Sequence, residues 1–357
     1  MFGTNPLSHK SYPAVSVIIP HWNGIAVLSE CLDSLKQSTY PALEIIVVDN
    51  ASTDDSSAWI KEHHPDIVLI QNDKNYGYAG GCNRGISHTK GSFILFLNND
   101  TIMEPGWIEP LVDRMMRNKK IAAVQPKILN YYQRKMFDYA GGSGGHLDVF
   151  CFPFARGRIF LEREEDQGQY DNPEQIFWAS GTAFIVQKEL FQAAGEFDET
   201  FFAHMEEIDL CWRFQLMGYE IWVEPQSVVF HKNAVSLPMN SYKKYYLNHK
   251  NSLLMLLGNY SLPVAMYLFS VRFALEWVAF GYALFKLDFK HMLGIINAQV
   301  WLLFHPHVIW KKHFRTGSIR VKRDRSIMSR LYRGSIVLTH YIRRRNVYSE
   351  ISSKPFV

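Results

Sequence analysis

The 357-residue sequence is poor in cysteine, with four thiols at Cys31, Cys82, Cys151 and Cys211 that are far apart and lack the paired spacing of a zinc site. That usage suits a reducing compartment, where no disulfide framework is expected. No Gly-Lys-Ser or Gly-Lys-Thr closes a glycine-rich stretch, so a Walker loop is excluded, and no Gly-x-Gly-x-x-Gly spacing marks a dinucleotide fingerprint. The first 19 residues contain Lys10 but no apolar core or small-residue cleavage site; they do not read as a signal peptide, and a cytosolic location is expected. An uninterrupted run of about 20 apolar residues, the length needed to cross a bilayer, is also missing. Arg272 and Glu276 break the stretch Ser261 to Phe285, and polar groups break Met292 to Trp310. Helices lying in or against a membrane interface are expected there instead of spans.

What the sequence has in excess is positive charge near one end. The formal net charge is +4, yet from Lys311 to Arg345 twelve lysines or arginines face one acid, Asp324, which leaves the rest of the chain slightly acidic. A basic tail beside aromatic and aliphatic helices suits an anionic lipid surface, because cationic side chains gain from anionic headgroups. Nucleic acid is not expected as a partner. A plain helical core followed by a solvated charged run is the alternative.

The size allows one large α/β domain, expected over residues 1–237, and a helical region with the basic tail over residues 238–357. Short apolar runs recur at Val15 to Pro20, Leu43 to Val48, Ile67 to Ile70, Phe93 to Leu97 and Ala122 to Gln125, with helix-like patterns between them. This βαβ rhythm predicts a mainly parallel, Rossmann-like sheet flanked by helices. From about Asn130 to Asn172 the pattern weakens and predicts a long, variable loop. A helix from Lys188 to Ala194, an amphipathic helix around Met205 to Met217, a strand at Glu220 to Val223 and the segment Val228 to Lys232 complete the first domain.

Ligands of open α/β sheets bind beyond the carboxyl ends of the strands. Pro20-His21-Trp22-Asn23 and Asp49 are therefore candidates to hold a base edge and ribose, although Asp49 can equally cap a turn and Asn23 serve a local backbone bond. The glycine-marked segment Asn75 to Ile86 reads as a small-residue turn opening a helix, with Asn75, Gly80, Asn83 and Arg84 on its ligand side and Arg84 able to grip a phosphate or base. Asn98-Asn99-Asp100 ends a buried strand, with Asn98 and Asn99 expected on the donor side. Asp100, with a diphosphate and waters, suffices to hold Mg²⁺ or Mn²⁺, and His231 can complete that shell. Trp178 and Gly181 lie in a segment suited to line a pocket for the acceptor. Glu206, Glu207 and Asp209 open the amphipathic helix, where the helix dipole explains one or two acids but not three behind such a segment.

In order, these motifs resemble the family 2 glycosyltransferases of GT-A fold, particularly the rhamnosyltransferase-like branch, over roughly Ala14 to Lys232. The resemblance implies an inverting, metal-dependent transfer of a single sugar from a nucleotide-diphosphate donor, either deoxythymidine-diphosphate rhamnose or a UDP-sugar. The acceptor would be a hydroxyl of a glycan or lipid-linked glycan used for cell-surface polysaccharide. It also implies that Pro20 to Asn23, Asp49, Asn75 and Arg84 bind the nucleotide, that Asp100 and His231 hold the cation, and that Glu207 is the base, with Glu206 and Asp209 supporting it or orienting the acceptor. The metal motif reads Asn-Asn-Asp in place of Asp-x-Asp, and the base position carries Glu where Asp is frequent. No Gln-x-x-Arg-Trp segment of processive synthases occurs. A sugar nucleotidyltransferase would leave the Glu206 to Arg213 segment without a role, and a non-catalytic carbohydrate-binding or scaffold protein would leave Asp100 and Glu207 dispensable.

Overall fold

In the computed structural model, which describes residues 12–233 and 240–351, the apolar runs form strands β1 (Val15–His21), β2 (Leu43–Asp49), β3 (Val68–Gln71), β4 (Phe93–Leu97), β5 (Thr101–Met103) and β6 (Ile121–Asn130). Side chains on a strand alternate between faces. Val17 and Ile19 therefore enter one core and Ile18 the other, and both faces need cover. Helices α1 (Ile25–Lys36) and α4 (Ile108–Arg117) cover the first face through Leu28, Leu32, Leu111 and Met115, while α2 (Ser56–His63) flanks β3. Helix α3 (Gly77–Ile86) covers the second face.

The chain continues through a small antiparallel sheet of β7 (Gly145–Leu147), β8 (Pro153–Ala155), β9 (Arg158–Ile159) and β10 (Glu162–Arg163). A loop was expected across this region. The short strands escape a periodicity reading, and their partners Ile336 and Tyr348 lie far along the chain in a shared apolar cluster. Then follow β11 (Glu174–Ile176), β12 (Ala183–Gln187), α5 (Lys188–Ala193), α6 (Glu206–Met217) and β13 (Glu220–His231), the last a single bulged strand that unites the two segments expected separately. The main sheet runs β11-β13-β6-β12-β4-β1-β2-β3, with β5 on β13. Neighbours β4, β1, β2 and β3 are parallel, whereas β12 runs antiparallel to β4 and β6. The path reverses between β1 and β4, the switch point where such sheets open a crevice.

The expected boundary at residues 237/238 lies outside the described residues. Beyond it come α7 (Tyr242–Asn259), α8 (Leu262–Phe285), α9 (Phe289–Phe304) and α10 (Pro306–Ile319). Leu253 to Leu256 and Tyr260 share one core with Trp212 and Phe214 of α6, so the C-terminal helices are built into the first domain. A buried charge cluster fastens them. Lys312 Nζ on α10 lies 2.7 Å from Asp209 Oδ1 and 3.1 Å from Asp198 Oδ2, and Arg213 Nε lies 2.9 Å from Asp209 Oδ2. Removing one partner of a buried ion pair costs about 3–5 kcal/mol because the other charge is left unmatched. Lys312→Met should therefore lower the thermal unfolding midpoint sharply; an unchanged midpoint would show that the cluster does not hold α10 in place.

Candidate active site

A cavity of about 740 Å³ is lined by Asn98 and Asp100 after β4, Trp178 and Gly181 before β12, Glu206 and Glu207 at the start of α6, and His231 at the end of β13. The two glutamates reach it through a backbone that few residues adopt. Phe202, His204 and Met205 have φ of 64°, 67° and 74°, values that cost a non-glycine residue energy and persist only where surroundings impose them. Here α7 imposes them: Asn251 Nδ2 donates to the carbonyls of Phe201, Ala203 and His204 at 3.0, 2.9 and 2.7 Å. Lys250 Nζ donates to Thr200 O at 2.7 Å.

Each glutamate keeps its Oε2 without a hydrogen-bond partner among the described residues. Burial pushes Glu207 up to about 7, against backbone hydrogen bonds around the helix start that favour the carboxylate. Burial, then the neighbouring Glu207 charge, raises Glu206 well above the usual range. Of the two, Glu206 is pushed further toward the protonated form, and Glu207 titrates nearer neutral pH. Asp209, expected beside them, is fully buried away from the cavity, where Asn259, Arg213 and Lys312 occupy its oxygens. It positions the helix and does not line the cavity.

Across the cavity, β5 pairs with β13 so that His231 lies opposite Thr101. This carries His231 Nε2 to 3.1 Å from Asp100 Oδ1, while Nδ1 lies 2.9 Å from Asp138 Oδ1. Burial opposes charge on the ring, but Asp100 and Asp138 outweigh it and push His231 up to about 10. A cation entering here would displace the Nε2 proton, and a carboxylate and a neutral imidazole side by side, with a second carboxylate orienting the ring from behind, then form a donor set that fits Mn²⁺ or a similar divalent cation. Asp100 and His231 would hold the ion. Among the described residues no three His, Cys, Asp or Glu side chains converge as a metal cluster, so the remaining ligands would be substrate oxygens and water.

The other donor-side candidates are brought together, but mostly with one another and outside this cavity. Asp49 accepts from Ser52 N at 3.1 Å and Ser57 Oγ at 2.7 Å. Asn23 Oδ1 accepts from Thr53 N at 2.7 Å, so both side chains shape the loop after β2 next to Pro20. His21 joins Ser56 Oγ at 2.9 Å to Asn99 Nδ2 at 2.8 Å, and burial lowers its pKa. The glycines expected to form a ligand-approaching turn lie inside α3. At Gly77, with φ +72°, a Cβ would meet Phe202 O at 2.2 Å, and one at Gly80 would crowd Tyr76 and Arg84, so their smallness serves helix packing. Asn75 caps Gly77 N at 2.8 Å, Asn83 bonds Phe197 O at 2.9 Å, and Arg84 pairs with Glu199 at 3.1 Å. Asp138, Asn251, Arg158 and Lys244 escaped sequence reasoning. They belong to segments without chemical spacing and become neighbours of the site only through the small sheet and α7.

A mainly parallel sheet with its strand order reversed at the crevice, a carboxylate after β4 and a glutamate at a helix start are the arrangement of a GT-A fold. Crystalline GalNAc-T7 with UDP, GalNAc and Mn²⁺ shares that fold at a TM-score of 0.57 and 18% identity, over 70% of this chain and 48% of that one. Residues 16–192 match the profile described as Glycosyl transferase family 2, and the chain belongs to that family. The O-antigen biosynthesis protein RfbC of Myxococcus xanthus is 28% identical over 234 residues, 64% of this chain but only 18% of its own length. An N-acetylglucosaminyl-diphospho-decaprenol L-rhamnosyltransferase of Mycobacterium tuberculosis is 24% identical over 250 residues, 66% of this chain and 81% of that protein. The rhamnosyltransferase-like character expected from the motifs stands with these relatives.

Asp138 touches no substrate side of the cation site, so its effect should be read in metal binding. Loss of an orienting carboxylate behind a ligating histidine typically weakens metal affinity by about 10–100-fold. Asp138→Asn should do so in a Mn²⁺ titration of the purified protein, and unchanged affinity would remove His231 from the cation shell.

Proposed function

We propose that the chain transfers one sugar from a nucleotide-diphosphate donor to a hydroxyl of a glycan or lipid-linked glycan, with inversion, using Glu207 as the general base. The observation that carries this reading is the placing of Glu207, with an unpartnered oxygen and a pKa of about 7, on the same cavity as the Asp100 and His231 pair. A base poised near the working pH is in the range where proton transfer is most effective. Glu207 takes the acceptor proton while the oxygen attacks the anomeric carbon opposite the diphosphate. A bound cation would offset charge on the leaving diphosphate. Gly181, whose missing side chain leaves room beside the Glu207 carboxylate, keeps the acceptor approach open, and Trp178 forms part of the wall. Deoxythymidine-diphosphate rhamnose is the favoured donor, with UDP-sugars next, by likeness to the rhamnosyltransferase-like relatives.

The C-terminal helices are proposed to rest on the inner face of the cell membrane. Arg272 and Glu276 turn into the protein, leaving Tyr267, Trp277, Phe285, Leu303 and Phe304 exposed on α8 and α9. Helix α8 is long and apolar enough to cross a bilayer by length and composition, but its buried ion pair and its packing on α7 and α9 favour an interfacial position.

A panel of nucleotide sugars with and without Mn²⁺ tests the chemistry. General-base loss typically costs about 10²–10⁴-fold in rate, so Glu207→Gln should bind donor but lose turnover on that scale. Glu206→Gln, which mimics a protonated acid, should retain most of it. Because the base must be ionised, kcat/KM should fall as pH drops through about 7; equal sensitivity to the two substitutions, or a flat profile there, would remove Glu207 from the role. For the membrane, Trp277→Glu with Phe285→Glu should abolish sedimentation with phosphatidylglycerol vesicles while leaving the thermal midpoint unchanged.

A further inference from the structure

Away from the glutamates the cavity wall changes sign. Arg158 on β9 and Lys244 on α7 gather on one ring, with the Arg158 guanidinium carbon 4.8 Å and Lys244 Nζ 5.2 Å from the centroid of Tyr139, and all three side chains line the cavity. Arg158 is only 6% exposed. Its contacts among the described residues are that ring and the Phe160 carbonyl, 3.1 Å from Nη1, and its Nε has no hydrogen-bond partner. Asp138, whose charge acts on it, is engaged by His231 and Asn233. A guanidinium taken out of water with only the shared charge of Asp138 acting on it is costly. On a cavity wall it calls for an anion brought by the ligand. Burial, then Arg158, lowers the Lys244 pKa, a repulsion that a bound anion relieves.

The same end of the cavity leads to an apolar surface. Phe160, Leu161 and Tyr341 line it, and the Tyr341 ring lies 5.6 Å from Phe160 and 6.0 Å from Tyr282 of α8. Tyr282 belongs to the exposed face of α8 that carries Trp277, Val278 and Phe285. An aromatic path thus joins the two cations to the helix surface.

We infer that the acceptor is an anionic amphiphile whose phosphate or diphosphate is held by Arg158 and Lys244 and whose hydrocarbon tail leaves past Phe160, Leu161 and Tyr341 onto α8. The inference rests on the transferase reading for the sugar hydroxyl at Glu207, but the anion site and the tail path stand on their own geometry.

Titration calorimetry on the full chain tests it with four probes: farnesyl diphosphate below its micelle concentration, farnesol, inorganic pyrophosphate, and UDP or dTDP with Mn²⁺. Farnesyl diphosphate should bind more tightly than either farnesol or pyrophosphate. Losing one charge-assisted hydrogen bond corresponds to roughly a ten-fold or greater drop in affinity. Arg158→Gln and Lys244→Gln should each weaken farnesyl diphosphate by that much, Arg158→Lys should recover part of it in a protein that melts like wild type, and nucleoside diphosphate affinity should not change. Leu161→Asp should remove the advantage of farnesyl diphosphate over pyrophosphate. If the Gln variants weaken the nucleoside diphosphate as much as the lipid, the cations serve the donor and the inference falls. It also falls if farnesol binds as well as farnesyl diphosphate. Lipid diphosphate binding through these residues without any nucleoside diphosphate binding would keep the anion site and remove the transferase reading.

Discussion

A lysine buried between two aspartates sets the geometry of the site. Lys312 joins α10 to Asp209 on α6 and to Asp198 in the preceding loop, while Asn259 shares Oδ1 of Asp209 and Arg213 takes its Oδ2. Charges this deep are tolerated only when matched, so the cluster behaves as one unit that resists rotation of α6. Glu207 sits two residues before Asp209 on that helix and inherits its fixed position. The basic tail is thus not only a solvated patch; one of its lysines is a core residue of the fold.

The C-terminal helices act on the site a second time through Asn251. Its amide bonds three carbonyls of the strained segment before α6, compensating for backbone angles that those residues would not adopt alone. With the helix start held, burial and backbone hydrogen bonds tune Glu207, and burial together with the Glu207 charge pushes the neighbouring Glu206 toward its protonated form. The opposite wall separates its charges in space, with carboxylates around His231 and cations around Tyr139.

Helix α8 shows how a charged pair can serve an apolar helix. Arg272 and Glu276 pair at 2.5 Å, one turn apart, and His249 of α7 meets the same carboxylate. Both charges face inward, so the outer face keeps an unbroken apolar surface although the linear sequence is interrupted. Hydropathy averages over the two faces and loses that distinction.

The sequence by itself determined the strands β1 to β4 and β6, the helix bearing Glu206 and Glu207, and the carboxylate after β4, because alternation, helical period and strand-end chemistry are local signals. It also marked Asp100, Glu207 and His231 as chemical residues, and the structure sets them around one cavity. It could not separate Asp209 as a support from Asp209 as an acceptor contact, nor packing from ligand approach for the glycines of α3, since an acid in a core ion pair and an acid in a pocket look alike along the chain, as do glycines for packing and glycines for ligands. Only the tertiary structure decided that residues 145–163 form a sheet, that Asp138 backs His231, that Asn251 holds the loop before α6, and that Arg158 and Lys244 share one ring. Each depends on contacts between segments distant in sequence, and no local periodicity encodes which long-range partners meet.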